Sequence, residues 1–477
     1  MTILIRSTAF FSLLISIATC VIAADKANVI ENIDARFQTH QDIAMKIFNY
    51  AELGYLEEKS TTLLKDTLRE VGFKIEEGLA DIPTAFVAQA GKGKPVIALL
   101  AEFDALPGIT QTTDPFRKEI PGKVGGHACG HHLLGTASVG SAMALKEWLE
   151  ANNIEGTIRV YGTPAEEGGS GKVYMVRAGL FDDVDAVLSW HPDDENAASA
   201  KSSLANRSAK FRFHGVSAHA AAAPHKGRSA LDGVEAFNHM VNLLREHVPQ
   251  ETRIHYVITA GGHTPNVIPD FAEVYYYVRH PVAEDLKGIW TRVEQAARGA
   301  ALGTGTTVDW EIIHGNHSLL PNETLATIMG KNLKIVGGVE YSKKEQAFAE
   351  KIYQTLNLPE LAMGSEKTIR PIKYTGSMGS TDVGDISWNV PTGELRTATW
   401  VPGTSAHTWQ AIAAGGTTIG IKGLQISAKT LTLTAIDLYE NAGLLKKAKV
   451  ELLERQGKDF KYEPLLGHRA PPLDYRK

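Results

Sequence analysis

The chain reads as an α/β protein whose largely parallel sheet is interrupted by an inserted ferredoxin-like α+β domain. Two observations predict this. Apolar strands alternate with helical repeats at both ends of the chain, the pattern of a helix-flanked parallel sheet. From about Asn206 the rhythm changes to strand-helix-strand-strand-helix-strand, the order of a ferredoxin-like split unit. The expected parts are 25–205 and 318–477 for the larger domain and 206–317 for the inserted one.

In order, Val29 to Leu53 and Ser60 to Val71 carry apolar residues at helical spacing. Thr84 to Leu106 reads as two strands separated by Gly91-Lys92-Gly93-Lys94. A helix over 133–151 follows a histidine cluster. A strand at 157–163 then runs into Pro164-Ala165-Glu166-Glu167-Gly168-Gly169, and one at 185–190 into His191-Pro192. These polar clusters fall after strands, where open α/β sheets place their sites. The inserted unit reads as strand Ser208 to Phe213, helix Arg228 to His247, strands Arg253 to Thr259 and Ala272 to Arg279, helix Ala283 to Ala301 and strand Thr307 to Ile313. From about Leu320 helices and strands resume, with a last polar cluster at Ser405-Ala406-His407-Thr408-Trp409.

The first 24 residues carry Arg6, an apolar run from Ala9 to Ala18 and small residues at Ala23 and Ala24, the pattern of a signal peptide. The run is shorter than the ~20 apolar residues of a membrane span. Export to the periplasm or medium is expected, with no stable membrane association. Ile17-Ala18-Thr19-Cys20 resembles a lipoprotein acylation box, but Thr19 is a poor residue before the modified cysteine, so lipidation ranks second. The remaining length implies two or more domains. Lys plus Arg total 49 against 54 for Asp plus Glu, a net charge of -5, and no long basic run argues for a nucleic-acid partner.

The chemistry concentrates in Gly126-His127-Ala128-Cys129-Gly130-His131-His132. Cys129 is the one cysteine outside the leader, so it is an inert buried thiol, a reactive one or a metal ligand. Cys129 and His131 alone favour the inert reading. Adding Glu167, His191 and His407 shifts the balance, because five such ligands suit one or two ions of the zinc or manganese type. Glu166-Glu167 offers two acids for two roles, one holding metal and one taking a proton, beside glycines that let substrate approach.

Seven stretches, GHACGHHLLG, TPAEEGGSG, SWHP, SAHAAAAPHKGRSALD, NVIPD, GSTDVGDISW and SAHTW, resemble in order and spacing the dinuclear metallo-aminoacylase and carboxypeptidase family. They are most similar to its p-aminobenzoyl-glutamate hydrolase branch. The resemblance implies a three-layer, zinc-peptidase-like catalytic domain with the insertion as dimerisation lid. It implies two divalent ions per subunit, Zn2+ or Mn2+, held by Cys129, His131, Glu167, His191 and His407, with Glu166 as general base. Cys129 stands where many relatives have a bridging aspartate, which implies a thiolate spanning both ions. Asp104 matches an acid that orients a ligand; a carboxylate capping a turn is the alternative. His132 stands where a common version of the motif has an acid.

His219 matches a histidine that crosses into the partner's site of a homodimer to stabilise an oxyanion; by itself it would read as an exposed loop residue. Asn266 and Arg279 match residues that handle the substrate carbonyl and terminal carboxylate, although an arginine at a strand end is often a solvated edge. His225 stays open in the same way. The implied reaction is hydrolysis of the amide bond of N-acyl or N-aroyl amino acids, such as p-aminobenzoyl-glutamate, by a metal-activated water. A dipeptidase or carboxypeptidase with the same site, and a non-catalytic metal- or peptide-binding protein, are the alternatives. A cysteine hydrolase with Cys129 as nucleophile would leave Glu166, Glu167, His191 and His407 without roles.

Overall fold

The computed structural model describes residues 26–376 and 378–476. The expected signal peptide, 1–24, lies outside the described residues.

The larger sheet runs β1 (Lys74–Glu77), β2 (Phe86–Lys92), β6 (Gly156–Gly162), β3 (Val96–Ala101), β7 (Ala186–Asp193), β13 (Thr392–Ala398) and β8 (Ala197–Ser199). Strands β6, β3, β7 and β13 are parallel, and β1, β2 and β8 add antiparallel edges. A hairpin of β4 (Leu106–Pro107) and β5 (Gly125–Gly126) lies apart from it. Successive side chains of a strand point to opposite faces. In β3, Ile97, Leu99 and Ala101 enter one apolar core while Val96, Ala98 and Leu100 enter another. The first core packs the helices Phe37–Tyr50, Glu58–Glu70, His131–Asn152, Glu323–Val336 and Thr418–Glu440; the second packs Gly171–Arg177 and Val383–Ser387. Layers on both faces bury the parallel strands and leave the ends that carry the polar loops free.

Segment Ala205–Asn316 makes a separate antiparallel sheet, β10 (Arg253–Ala260), β11 (Phe271–His280), β9 (Ala205–His214) and β12 (Thr307–Asn316). The helices Ala230–Leu244 and Ala283–Thr304 cover one face, around Phe211, Phe213, Phe237, Tyr276 and Trp290. Because Val274, Tyr276 and Val278 of β11 point into that core, Tyr275, Tyr277 and Arg279 lie on the opposite face. At the other sheet edge, β10 exposes Tyr256, Val257 and Ile258.

Two local readings differ from the sequence expectation. The single helix expected over Val29 to Leu53 is interrupted at Arg36, whose N–H bonds the Ile33 carbonyl at 3.1 Å, and it ends at Tyr50. His191 and Pro192 do not follow β7 but belong to it, because its parallel register with β13 continues to Asp193.

The helices Phe37–Tyr50 and His131–Asn152 meet closely at His40: a Cβ on Gly140 would lie 2.6 Å from His40 Nε2. Burial, partly offset by the Gln425 side chain, lowers His40 to about 4. His40 therefore stays neutral in the fold while the unfolded chain takes up a proton below pH ~6.5. This contribution is intact above pH ~6.5 and is lost as pH falls to about 4, a change of about 3 kcal/mol. Denaturant unfolding of wild type and His40→Leu at several pH values checks it: the variant should lose that part of the acid sensitivity, and identical pH dependence would count against it.

Candidate metal centre and active site

The polar loops converge at the C-terminal ends of β3, β6 and β7. Gly130 has φ +76, and a Cβ there would strike the Pro192 ring at 2.8 Å, so glycine lets the chain turn tightly into the helix His131–Asn152. Cys129 and His131 leave that turn towards one space. Trp190 Nε1 donates to the Leu134 carbonyl at 3.1 Å, pinning the end of β7 to the same helix. His191 Nδ1 lies 2.6 Å from the Pro192 carbonyl; donating there leaves Nε2 unprotonated, 3.2 Å from Cys129 Sγ. His407, with φ +63, is held by its N–H on the Ala128 carbonyl at 2.9 Å, and its Nε2 lies 3.3 Å from Glu167 Oε1.

The ligand atoms of Cys129, His131 and His191 all lie within 4.8 Å of one another, as do those of Cys129, Glu167 and His407. The two triads share the thiol. Atoms bound at ~2.0–2.3 Å to a common tetrahedral ion stand about 3–4 Å apart, so the 3.2 and 3.3 Å separations fit. His131 Nε2 and Glu167 Oε1 form no hydrogen bond among the described residues; His131 Nε2 stands 3.2 Å from Glu102 Oε2, as Glu167 Oε1 stands 3.3 Å from His407 Nε2. A third group, His131, Glu166 and Glu167, places Glu166 beside both triads.

Asp104 sets this geometry. Its Oδ1 accepts from His131 Nδ1 at 2.9 Å, fixing the tautomer that presents Nε2, and its Oδ2 accepts from the Glu167 backbone N–H at 2.9 Å. Of its two sequence readings, the structure supports the orienting one. Burial pulls the His131 imidazolium down, but Cys129, Asp104 and Glu102 outweigh it and hold His131 well above the usual range. Burial, then Glu102 and Glu167, push Glu166 well above the usual carboxylate range. Burial lowers His191 far below a normal histidine, helped by Arg396 and His131. His407 is raised to about 10 by its contacts with Cys129 and Glu167. The anionic groups that hold His131 and His407 protonated are what divalent cations at the same donors would neutralise instead.

Several contributors carried no motif signal. Lys172 is fully buried between Glu102 Oε1 at 2.8 Å and Asp382 Oδ1 at 2.7 Å, beneath the ligands. Glu57 accepts from the Ala165 N–H at 2.8 Å, and burial with Asp104 nearby pushes it up to about 8, so it is protonated at neutral pH. Tyr55 donates to the Gly169 carbonyl at 2.6 Å. Between these clamps Ala165 and Ser170 hold left-handed φ values of +58 and +59, strain that keeps Glu166 and Glu167 aimed inward. Tyr55 and Glu57 are remote from the motifs in sequence, and Lys172, directly after Gly171, looks like an ordinary helix residue.

Other candidates fall elsewhere. His127 and His132 are buried against each other and Phe48, bonding the Ile47 and Gly415 carbonyls, so of the three clustered histidines only His131 faces the site. Arg279 is not a solvated edge. It lines a cavity of about 500 Å³ with Glu166, Glu167 and Tyr277, its guanidinium 5.5 Å from the Tyr277 ring centre and Nε without a partner. A narrower cavity of about 200 Å³ shares Glu166, Glu167 and His407 and reaches Cys129 and His191. His219 and Asn266 line neither. They sit together on the smaller domain, where Ala220 N–H bonds the Asn266 carbonyl at 3.0 Å. His225 is exposed beside them.

Residues 98–411 match the model of peptidase family M20/M25/M40. The chain is 41% identical to a p-aminobenzoyl-glutamate hydrolase polypeptide of Escherichia coli (strain K12), one of that enzyme's subunits, over 88% of this chain and 93% of that protein. It is 32% identical to Xaa-Arg dipeptidase of Mus musculus, covering 79% and 80% of the two chains. The fold resembles a dinuclear metal binding peptidase of the M20 family from Bacillus subtilis, with a TM-score of 0.58 and 19% identity over 85% of this chain and 99% of that one. It also resembles an aminobenzoyl-glutamate utilization protein of Klebsiella pneumoniae, with a TM-score of 0.61 and 17% identity over 85% and 97%.

Metal binding to the folded chain alone should raise its stability, by about 4 kcal/mol at a free concentration ~1,000 times Kd. Thermal unfolding of chelated protein, with and without added Zn2+ or Mn2+, should show the increase. It should largely vanish in the double variant His191→Ala/His407→Ala, and an unchanged rise there would remove these residues from the site.

Proposed function

The chain belongs to peptidase family M20/M25/M40 and is a metal-dependent hydrolase of amide bonds; from that premise we propose that it cleaves N-acyl and N-aroyl amino acids, p-aminobenzoyl-glutamate among them. The observation that carries this reading is the pair of ligand triads sharing Cys129, opening beside Glu166 into a cavity that holds Arg279. We assign Cys129, His131, Glu167, His191 and His407 as the residues that would hold two divalent ions, Zn2+ or Mn2+. When bound, such ions acidify water and polarise the scissile carbonyl. Glu166 takes the proton of the attacking water and returns it to the leaving amine. Asp104 keeps His131 and Glu167 in position through this transfer, and Lys172 keeps the carboxylates beneath them compensated. Arg279, which lines the cavity and has no carboxylate partner among the described residues, takes the substrate's α-carboxylate.

His219 and Asn266 act on the site of a second copy of the chain. Their position away from the two cavities at their own chain's ligand cluster supports this, and so does the exposed apolar edge of β10, a surface that proteins otherwise protect or pair. The active form is a homodimer. The Escherichia coli relative is named as one subunit of a hydrolase, so measuring the mass of the isolated protein also tests for a different partner. Among the described residues no helix is long and apolar enough to cross a membrane. With the leader pattern of residues 1–24, the proposed setting is outside the cytoplasm, where the enzyme would scavenge amidated amino acids. A dipeptidase reading draws on the similarity to Xaa-Arg dipeptidase; substrates with and without a free amino group separate the two.

Glu166→Gln should lower kcat on p-aminobenzoyl-glutamate by about 10²–10⁴-fold while metal content measured by elemental analysis is unchanged. Full activity in that variant would end the general-base assignment. His219→Ala should also be nearly inactive. Co-refolded with Glu166→Gln, it should regain about a quarter of wild-type activity, since random pairing gives half heterodimers, each with one intact site. No recovery on mixing would place His219 outside the partner's chemistry.

A further inference from the structure

The cavity that receives Arg279 holds a second guanidinium. Segment 463–476 leaves the larger domain and runs along β12, where Arg469 donates to the Ile313 carbonyl at 3.1 Å and pairs with Glu311 at 2.8 Å. Arg177 grips the Gly467 and Arg469 carbonyls at 3.0 and 2.8 Å, and the Tyr475 ring packs edge-on against Tyr55 with centroids 5.5 Å apart. This fixed course delivers Arg476 to the cavity wall. Its Nη2 donates to the Glu167 carbonyl at 2.6 Å and its guanidinium lies 4.6 Å from the Tyr475 ring centre, so a long side chain is already ordered.

Tyr277 links the two arginines. Arg279 lies over its ring, and a Cβ added to Gly168 would meet Arg476 Nη2 at 3.5 Å and the Tyr277 hydroxyl at 3.9 Å. Neither arginine has a carboxylate partner among the described residues. The acids lining the cavity are otherwise engaged: Glu166 and Glu167 at the metal centre, Asp382 on Lys172 at 2.7 Å. Of the two histidines there, His407 is engaged at the metal centre on Glu167, and His314 is lowered to about 3 by burial and then Arg279, so it stays neutral. Two uncompensated cations in one pocket call for a ligand with two anionic groups.

We propose that Arg476 binds the side-chain carboxylate of the substrate's amino acid while Arg279 holds its α-carboxylate, making the enzyme selective for N-acyl derivatives of acidic amino acids. This rests on the N-aroyl amino acid reading above. Arg476 is then a specificity residue supplied by a segment far in sequence from every motif.

The test compares kcat/KM for the p-aminobenzoyl derivatives of glutamate and glutamine, near-equal in size and differing by one charge, in wild type, Arg476→Gln and Arg476→Lys. Wild type should prefer glutamate. Arg476→Gln should lose about 10–100-fold on glutamate and change little on glutamine, with Arg476→Lys recovering part of the loss. Equal losses on both substrates would mean that Arg476 only holds the Glu167 loop, and no loss on glutamate would remove it from recognition; either result overturns the proposal. Hydrolysis of neither derivative by wild-type protein would instead overturn the N-aroyl amino acid reading on which it rests.

Discussion

Asp104 sits at the end of a buried strand with both carboxylate oxygens committed, one to His131 and one to the Glu167 backbone. Burying a carboxylate is costly unless such partners surround it. Burial would raise its pKa, but His131, the Glu167 N–H and Lys172 outweigh that and keep Asp104 ionised. One anion thereby locks the first turn of a long helix to the loop after β6. That lock fixes the His131 tautomer and ties down the loop that carries Glu166 and Glu167.

Charge compensation explains the surroundings. Glu102 and Asp382 share Lys172, and Glu57 is neutral because burial and Asp104 keep its proton on. These are ties between distant stretches of chain. Glu166 and Glu167 instead stand among the thiol and imidazole donors, so the centre is arranged to be completed by cations. The same accounting one cavity further out leaves two arginines uncompensated, and there the missing charge belongs to a substrate.

The smaller domain meets this centre through the alternation of β11. Packing Val274, Tyr276 and Val278 inward obliges Tyr277 and Arg279 to face the other way, into the cavity. The segment 463–476 bridges the domains from behind and ends on the Glu167 loop. Recognition of substrate and positioning of the metal loop are therefore mechanically connected through a few hydrogen bonds to backbone carbonyls.

The order of strands and helices was legible in the sequence because apolar periodicity is local, and the ferredoxin-like order of the insertion followed from it. The cluster Cys129, His131, Glu167, His191 and His407 was legible because chemically rare residue types recur after strands in motifs with a known resemblance. Where His127 and His132 go was not: both are buried against Phe48 on the side of the turn away from His131, and packing decides that. Glu57, Lys172 and Arg476 are common residue types without local pattern, and only long-range closure gives them partners. Sequence by itself thus determined the layers and the donor inventory. Tertiary structure decided tautomers, charge pairing and the second arginine of the pocket, because those depend on which side chains the folded chain brings together, from His131 and Asp104, 27 positions apart, to Arg476 and Glu167, 309 apart.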